Sequence, residues 1–200
     1  MSTDVLRAIT KRFFGDEIAF DFSTYEGKAL AAQSIQDREY AKESLILCDF
    51  SWPMRYVKFS ADHIGDPTIE SKILAAVTGR EIDEEGLRQT GERVFNLQRA
   101  ILVREGHKGR ESDTLSGSDY TIPLRADPGN PEGLLPGKGG EVISRNGAVV
   151  DKGKFENVKD EYYQLRGWDV KTGLQRKTKL EELELGDVAE ELEARGLLAK

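Results

Sequence analysis

The sequence predicts a mainly α-helical fold that carries one long irregular arm. Apolar residues recur at helical spacing in several stretches bounded by capping residues and glycine. Four of the six prolines, Pro123, Pro128, Pro131 and Pro136, gather with many glycines between Gly106 and about Val158. The one strand signal also falls in that stretch. The 200 residues, 38% hydrophobic and 32% charged, suffice for one sizeable domain with a charged coat.

The first predicted helix starts at Ser23, where S-T-Y-E has the capping-box pattern, and runs through Leu30, Ala32 and Ile35 to about Tyr40. The second takes Asp66 as cap and Pro67 in its first turn. It carries the stripe Ile69, Ile73, Leu74 and Val77, and stops at Gly79. The third follows Asp83, carries Leu87, Val94, Phe95, Ile101 and Leu102 on one side, and ends at Gly106. Thr178-x-x-Glu181 and Asp187-x-x-Glu190 read as capping boxes for a final short pair that closes at Gly196. One apolar side on each helix predicts packing on a common core. In the arm, Val142-Ile143 and Val149-Val150 flank Asn146-Gly147, a hairpin signal. The expected division is a helical region over 1–106, a Pro/Gly-rich arm or lid over 107–158, and a helical segment over 159–200 that packs on the same core.

A formal net charge of −7 disfavours nucleic acid. The most basic stretch, Arg176-Lys177-Thr178-Lys179, is followed at once by Glu181, Glu182 and Glu184 and reads as a solvated helix end. No apolar run approaches the roughly 20 residues of a membrane span, and MSTDVLRAITKRFF has neither an extended apolar region nor a cleavage site. Cys48 is the single cysteine, so an intrachain disulfide is impossible and a reducing, cytoplasmic compartment is expected.

Three segments carry candidate chemistry. G-L-L-P-G-K-G-G, from Gly133 to Gly140, fails as a phosphate loop because its glycine spacing is short and Lys138 precedes Gly rather than Ser or Thr. Asp62, His63 and Asp66 offer one imidazole and two carboxylates at no helical spacing, a weak metal site that a polar turn before the helix at Pro67 explains adequately. Cys48, after the apolar run Leu45-Ile46-Leu47, reads by default as a small core residue. Neighbouring Asp49 disfavours a bare thiolate, whereas a metal would stabilise one.

The segment E-S-L-I-L-C-D-F around Cys48 resembles the D-x-x-G-L-C-[DK]-F segment of tungsten-dependent aldehyde:ferredoxin oxidoreductases. G-E-R-V-F-N-L-Q-R-A-I-L-V-R-E-G from Gly91 resembles that family's long helix after the cysteine. E-S-D-T-L from Glu111 is similar to its D-D-x-L turn, and Y-Y-Q-L-R-G-W-D from Tyr162 to its terminal signature. T-Y-E-G-K-A at Thr24 fits the helix that precedes the cysteine, so the likeness runs in order along nearly the whole chain.

The resemblance implies that Cys48 binds a [4Fe-4S] cluster and that Glu43 and Leu47 sit at pterin-contacting positions beside a tungstopterin. It further implies oxidation of an aldehyde to a carboxylic acid, with ferredoxin as electron acceptor. Two positions depart from the motif: Glu43 stands for Asp, and Ile46 for Gly, where a branched side chain blocks close backbone approach. Asp49, Trp52 and Pro53 follow and are expected to shape the loop near the cofactor. Such a cluster takes four thiolates and this chain has one, so an amino-terminal portion on another chain is the expected partner. The chain is then inactive alone. The alternative is a non-catalytic helical interaction module or relic that keeps the fold without the cofactor.

Overall fold

The computed structural model describes residues 3–48, 56–58, 60–125 and 128–200. Among them are eight α-helices and one two-stranded antiparallel ladder, the mainly α fold that the sequence predicts. None of these helices is long and apolar enough to cross a membrane. Asp49, Trp52 and Pro53 lie outside the described residues. Chain contacts divide the molecule into two compact units, the first comprising 1–31, 54–65 and 115–159 and the second 32–53, 66–114 and 160–200.

The first unit opens with α1 (Thr3–Phe14), which the sequence reading missed. Its inner side is Ile9, Thr10 and Phe14, and the Gly15 amide closes it on the Lys11 carbonyl at 3.1 Å. A 3-10 turn over Glu17–Phe20 follows. The predicted cap at Ser23 does not form. Ser23 instead donates its amide and hydroxyl to Asp21 Oδ1 (2.9 and 2.5 Å), and Thr24 Oγ1 accepts the Glu26 amide at 3.1 Å. These local turns compete with a helix start. The Lys28 ammonium then gathers the carbonyls of Ile18, Ala19 and Asp21 at 3.2, 3.0 and 2.6 Å. Helix α2 (Lys28–Ser44) begins only there and runs four residues past Tyr40.

The strand signal is also displaced. β1 (Leu134–Pro136) pairs with β2 (Val142–Ser144) in the register Leu134↔Ser144, Leu135↔Ile143, Pro136↔Val142. Asn146-Gly147 closes a separate turn, in which the Gly147 amide donates to the Leu124 carbonyl (2.9 Å) and the Leu124 amide to the Ala148 carbonyl (2.8 Å). The short α5 (Gly117–Thr121) lies in the same unit, and α6 (Lys152–Leu165) starts inside the stretch read as an irregular arm.

The second unit holds α3 (Ile69–Thr78), α4 (Glu84–Arg104), α7 (Lys177–Glu182) and α8 (Gly186–Ala194). Asp83 caps α4 as predicted, its Oδ1 accepting the Gly86 amide at 2.8 Å, and Gly79 ends α3 in the left-handed conformation. The Asp66 cap shifts: its Oδ1 takes the Thr68 amide, and α3 begins two residues later. Neither final capping box forms, since the cap positions of α7 and α8 are Arg176 and Leu185, with no side-chain cap bond.

The apolar core of this unit is Ala100 of α4 against Leu180, Leu183, Leu185, Ala189 and Leu192, with Val188, Leu197 and Leu198 packed on it. Each leucine fully buried there stabilises the unit by about 2 kcal/mol. The predicted stripes on α3 and α4 are only partly inward: Leu87 is buried, and Ile69, Leu74, Val94 and Phe95 are half-buried. Ile73, Val77, Ile101 and Leu102 are exposed, while Glu70, Ser71, Glu92, Asn96 and Arg99 are buried. Each buried charge has its counter-ion: Glu70 with Arg38, Glu92 with Lys179 at 2.9 Å, and Arg99 with Asp113 at 2.6 Å. Paired in this way, polar groups tolerate burial.

Candidate functional site

Helix α2 ends in a complete hydrogen-bonded cap. The Ile46 amide donates to the Glu43 carbonyl (2.9 Å) and the Leu47 amide to the Lys42 carbonyl (3.2 Å), the paired pattern of a Schellman motif. The residue at its left-handed position is Ile46, with φ 60° and a side chain 93% exposed. A glycine is the ordinary occupant there, because a Cβ crowds the backbone when φ is positive. The departure of Ile46 from glycine therefore has a local conformational cost, which the sequence alone did not reveal.

Cys48 follows directly, exposed and outside any disulfide. The default reading as a core residue is thus overturned. Glu43 is exposed on the last turn of α2, and Leu45 and Leu47 are half-buried. Beneath them Lys42 is buried and ion-paired with Glu39, and its carbonyl anchors the cap. The helix turns its carbonyl end toward Cys48, the negative pole of its dipole, so α2 does not itself favour a bare thiolate.

The other candidates are consumed by the fold. Asp62 accepts the Ile64 amide at 3.1 Å and pairs with Arg12 at 2.7 Å, which together hold its carboxyl down at about 2. Asp66 is held at about 2 by Lys72 and by Thr68. His63 is exposed, its Nδ1 3.3 Å from the Val57 carbonyl. Among the described residues no group of three or more His, Cys, Asp or Glu could hold a metal. The glycine-rich loop points the wrong way for phosphate. The Gly137 and Glu141 carbonyls converge on the Arg7 guanidinium at 2.9 and 2.8 Å, so the loop cradles a cation.

The terminal Y-Y-Q-L-R-G-W-D segment is a packing hub, which sequence reading did not foresee. Arg166 and Asp37 pair at 2.5 Å with both side chains wholly buried. Tyr162 donates to Gln36 at 2.5 Å, Tyr163 to Asp113 at 2.6 Å, and the Trp168 indole to Asn96 at 2.9 Å. Gly167, with φ 68°, ends α6 in the same cap as α2. The density of aromatic and charged residues was the signal available in the sequence.

Residues 4–185 match the family described as aldehyde ferredoxin oxidoreductase, domains 2 and 3. Among solved structures, a chain of the active-site complex BamBC of benzoyl coenzyme A reductase, in complex with 1,5-dienoyl-CoA, is similar in fold, with a TM-score of 0.57 at 22% identity. That likeness covers 90% of this chain, which spans only 22% of the length of the other. With the cap and cysteine of α2, the long α4 and the terminal hub all inside the matched stretch, this chain belongs to the aldehyde ferredoxin oxidoreductase family, in the part formed by its domains 2 and 3.

Proposed function

We propose that this chain is the carboxy-terminal part of a tungstopterin and iron–sulfur oxidoreductase, in which Cys48 contributes one thiolate to a [4Fe-4S] cluster. The observation that carries the reading is the exposure of Cys48 directly after a fully bonded helix cap, in a chain of this family. An exposed cysteine two residues after the left-handed residue of a bonded helix cap suits a cluster ligand that must meet thiolates from elsewhere. Three more are needed, and an amino-terminal portion on another chain supplies them.

When bound, the tungsten centre supplies two-electron oxygen chemistry and the cluster passes electrons singly, here from an aldehyde to ferredoxin. This chain's own groups bind and orient. The exposed Glu43 carboxylate accepts hydrogen bonds from the amino groups of a pterin, and Leu47 offers an apolar contact beside it. Ile46 keeps the backbone of the cap from approaching the pterin as closely as a glycine would. A thiol outside any disulfide fits a reducing cytoplasm.

The test is anaerobic co-expression with the portion that carries the remaining cysteines. A soluble complex with iron and the visible absorbance of a cluster is expected, with far less iron on the chain alone. A complex that forms but carries no iron favours the non-catalytic interaction module.

A further inference from the structure

Asn146-Gly147, in the first unit, has chemistry that the proposed function does not use. The chain has four asparagines, Asn96, Asn130, Asn146 and Asn157, and Asn146 alone precedes a glycine. Both residues of the pair are exposed, and Gly147 takes φ 81°. An asparagine carboxamide is open to attack by the main-chain nitrogen of the next residue, and glycine puts no side chain in the way. Three contacts hold the parts of this reaction apart. The nucleophile is engaged, since the Gly147 amide donates to the Leu124 carbonyl at 2.9 Å. The leaving group is engaged, since Asn146 Nδ2 donates to the Pro131 carbonyl at 3.0 Å. The carboxamide is also wedged against Gly133, where an added Cβ would lie 2.6 Å from Asn146 Oδ1.

We propose that Asn146 is a site of non-enzymatic covalent modification, converted to aspartate and isoaspartate through a succinimide, and that its turn gates the reaction. When the turn opens, hydroxide removes the Gly147 amide proton and the nitrogen attacks Asn146 Cγ. The N–Cγ bond forms, the Cγ–Nδ2 bond breaks, and Nδ2 takes a proton from water and leaves as ammonia. Water then opens the ring. Cleavage at Cγ gives aspartate, and cleavage at the main-chain carbonyl gives isoaspartate. The net change is one water consumed and one ammonia released, with no electron gained or lost. This inference does not depend on metal binding at Cys48.

The other asparagines mark the contrast. Asn130 precedes Pro131, whose nitrogen has no proton to lose. Asn96 and Asn157 lie inside α4 and α6, each followed by a branched residue, Leu97 and Val158. The products at position 146 also hold the turn less well. A carboxylate has no N–H to give the Pro131 carbonyl, and the two oxygens then repel. Isoaspartate adds a carbon to the main chain, so the Gly147 bond to Leu124 and the Leu124 bond to Ala148 (2.8 Å) no longer fit one register. Modification thus makes the opening of this turn permanent, a one-way switch set by how often the turn opens.

The experiment incubates the purified chain at mildly alkaline pH, folded and in concentrated urea. Peptide mass spectrometry reads the mass gain of deamidation at each asparagine, and an L-isoaspartyl methyltransferase reads isoaspartate. Modification in urea is expected mainly at Asn146, and slower by about tenfold or more in the folded chain, because local opening costs free energy. Leu124→Pro removes the amide that bonds Ala148 and is expected to speed the reaction in the folded chain, with circular dichroism checking the fold. Should that variant fail to fold, hydrogen exchange of the Gly147 amide in the parent serves instead: dilute urea must raise exchange and modification together. Equal rates in the folded and unfolded chain overturn the proposal. So does modification that falls mainly on another asparagine, or a rate unmoved in folded Leu124→Pro or by a rise in Gly147 exchange.

Discussion

Ile46 and Glu184 occupy the same left-handed position at the ends of two different helices, with φ 60° and 57°, and Glu184 is held there by Arg93. Arg93 donates to the Glu184 carboxylate at 2.8 Å and to its backbone carbonyl at 3.2 Å. Helices α4, α6 and α8 close in the same bonded pattern on Gly106, Gly167 and Gly196. Within this set Ile46 combines a β-branched side chain with 93% exposure and a left-handed backbone.

Ile46→Gly is therefore expected to stabilise the chain, by about 1 kcal/mol from the relief of left-handed strain. Glu184→Gly relieves similar strain but loses the Arg93 contact to the carboxylate, keeping the one to the backbone carbonyl, so its net change is expected to be smaller. Urea unfolding of the two variants beside the parent measures both. A less stable Ile46→Gly would show that Ile46 is held by contacts that its exposure does not reveal.

The pair formed by Arg166 and Asp37 supports the second unit in a different way. Arg166 also donates to Tyr162 at 3.0 Å and to Gln36 at 2.9 Å, and its guanidinium lies 4.2 Å over Phe95. Removing one partner leaves the other charged and buried, so Arg166→Met or Asp37→Asn is expected to cost about 3–5 kcal/mol. Gly91 packs so tightly on this place that an added Cβ would lie 1.8 Å from the Asp37 carbonyl oxygen. Gly91→Ala is expected to destabilise by about 1–3 kcal/mol or more through overpacking. Denaturant midpoints of the three variants test the set, and parent-like values would remove this pair from the framework.

How far the fold was legible follows from the range of the forces involved. Asp83, Gly79, Gly106 and Gly196 act within one turn of chain, and each marks its helix end as the sequence indicates. Ser23, Thr178 and Asp187 have the same local pattern and fail. At Ser23 the Asp21 and Thr24 turns and the Lys28 ammonium win the nearby groups. The polar inner faces of α3 and α4 were illegible for another reason: Arg38, Lys179, Asp113 and Trp168 complete them from distant chain. Periodicity reports hydrophobicity, not pairing, so Ile73 and Ile101 looked buried and Glu70 and Arg99 did not. At the site, position along the chain singled out Cys48. Its exposure and the strain at Ile46 depend on the backbone, which composition does not encode.

Acid sensitivity should centre on two exposed carboxylates. Asp62 is lowered from 3.8 to about 2, first by the Ile64 amide and then by Arg12, and Asp66 to a similar value by Lys72 and Thr68. A depressed carboxyl contributes stability that is full above the unfolded value and lost as pH falls through the folded one. Both contributions should thus be present at pH 5 and fade between about 4 and 2. Asp62→Asn is expected to flatten part of that loss, and added salt to weaken the Arg12 share. Thermal midpoints across this range check it. An acid limb equally steep in Asp62→Asn would assign the sensitivity to other groups.

The last expectation concerns Cys48 in the complex with the amino-terminal portion. Cys48 is exposed, so its removal leaves no cavity in this chain, and Cys48→Ala should unfold at nearly the parent midpoint. As a cluster ligand, however, it is the single thiol of this chain, so no second cysteine here can take its place. Cys48→Ala should therefore lose or destabilise the cluster while the helical circular dichroism persists. Cys48→Ser is expected to lie between the two, since a hydroxyl matches the thiol in shape but is a poorer ligand for iron. Iron content and visible absorbance, taken anaerobically on the parent complex and both variants, separate the cases. Equal iron in all three, with equal stability, would mean that the cluster forms without this chain, and Cys48 would then be an ordinary exposed thiol at the end of α2.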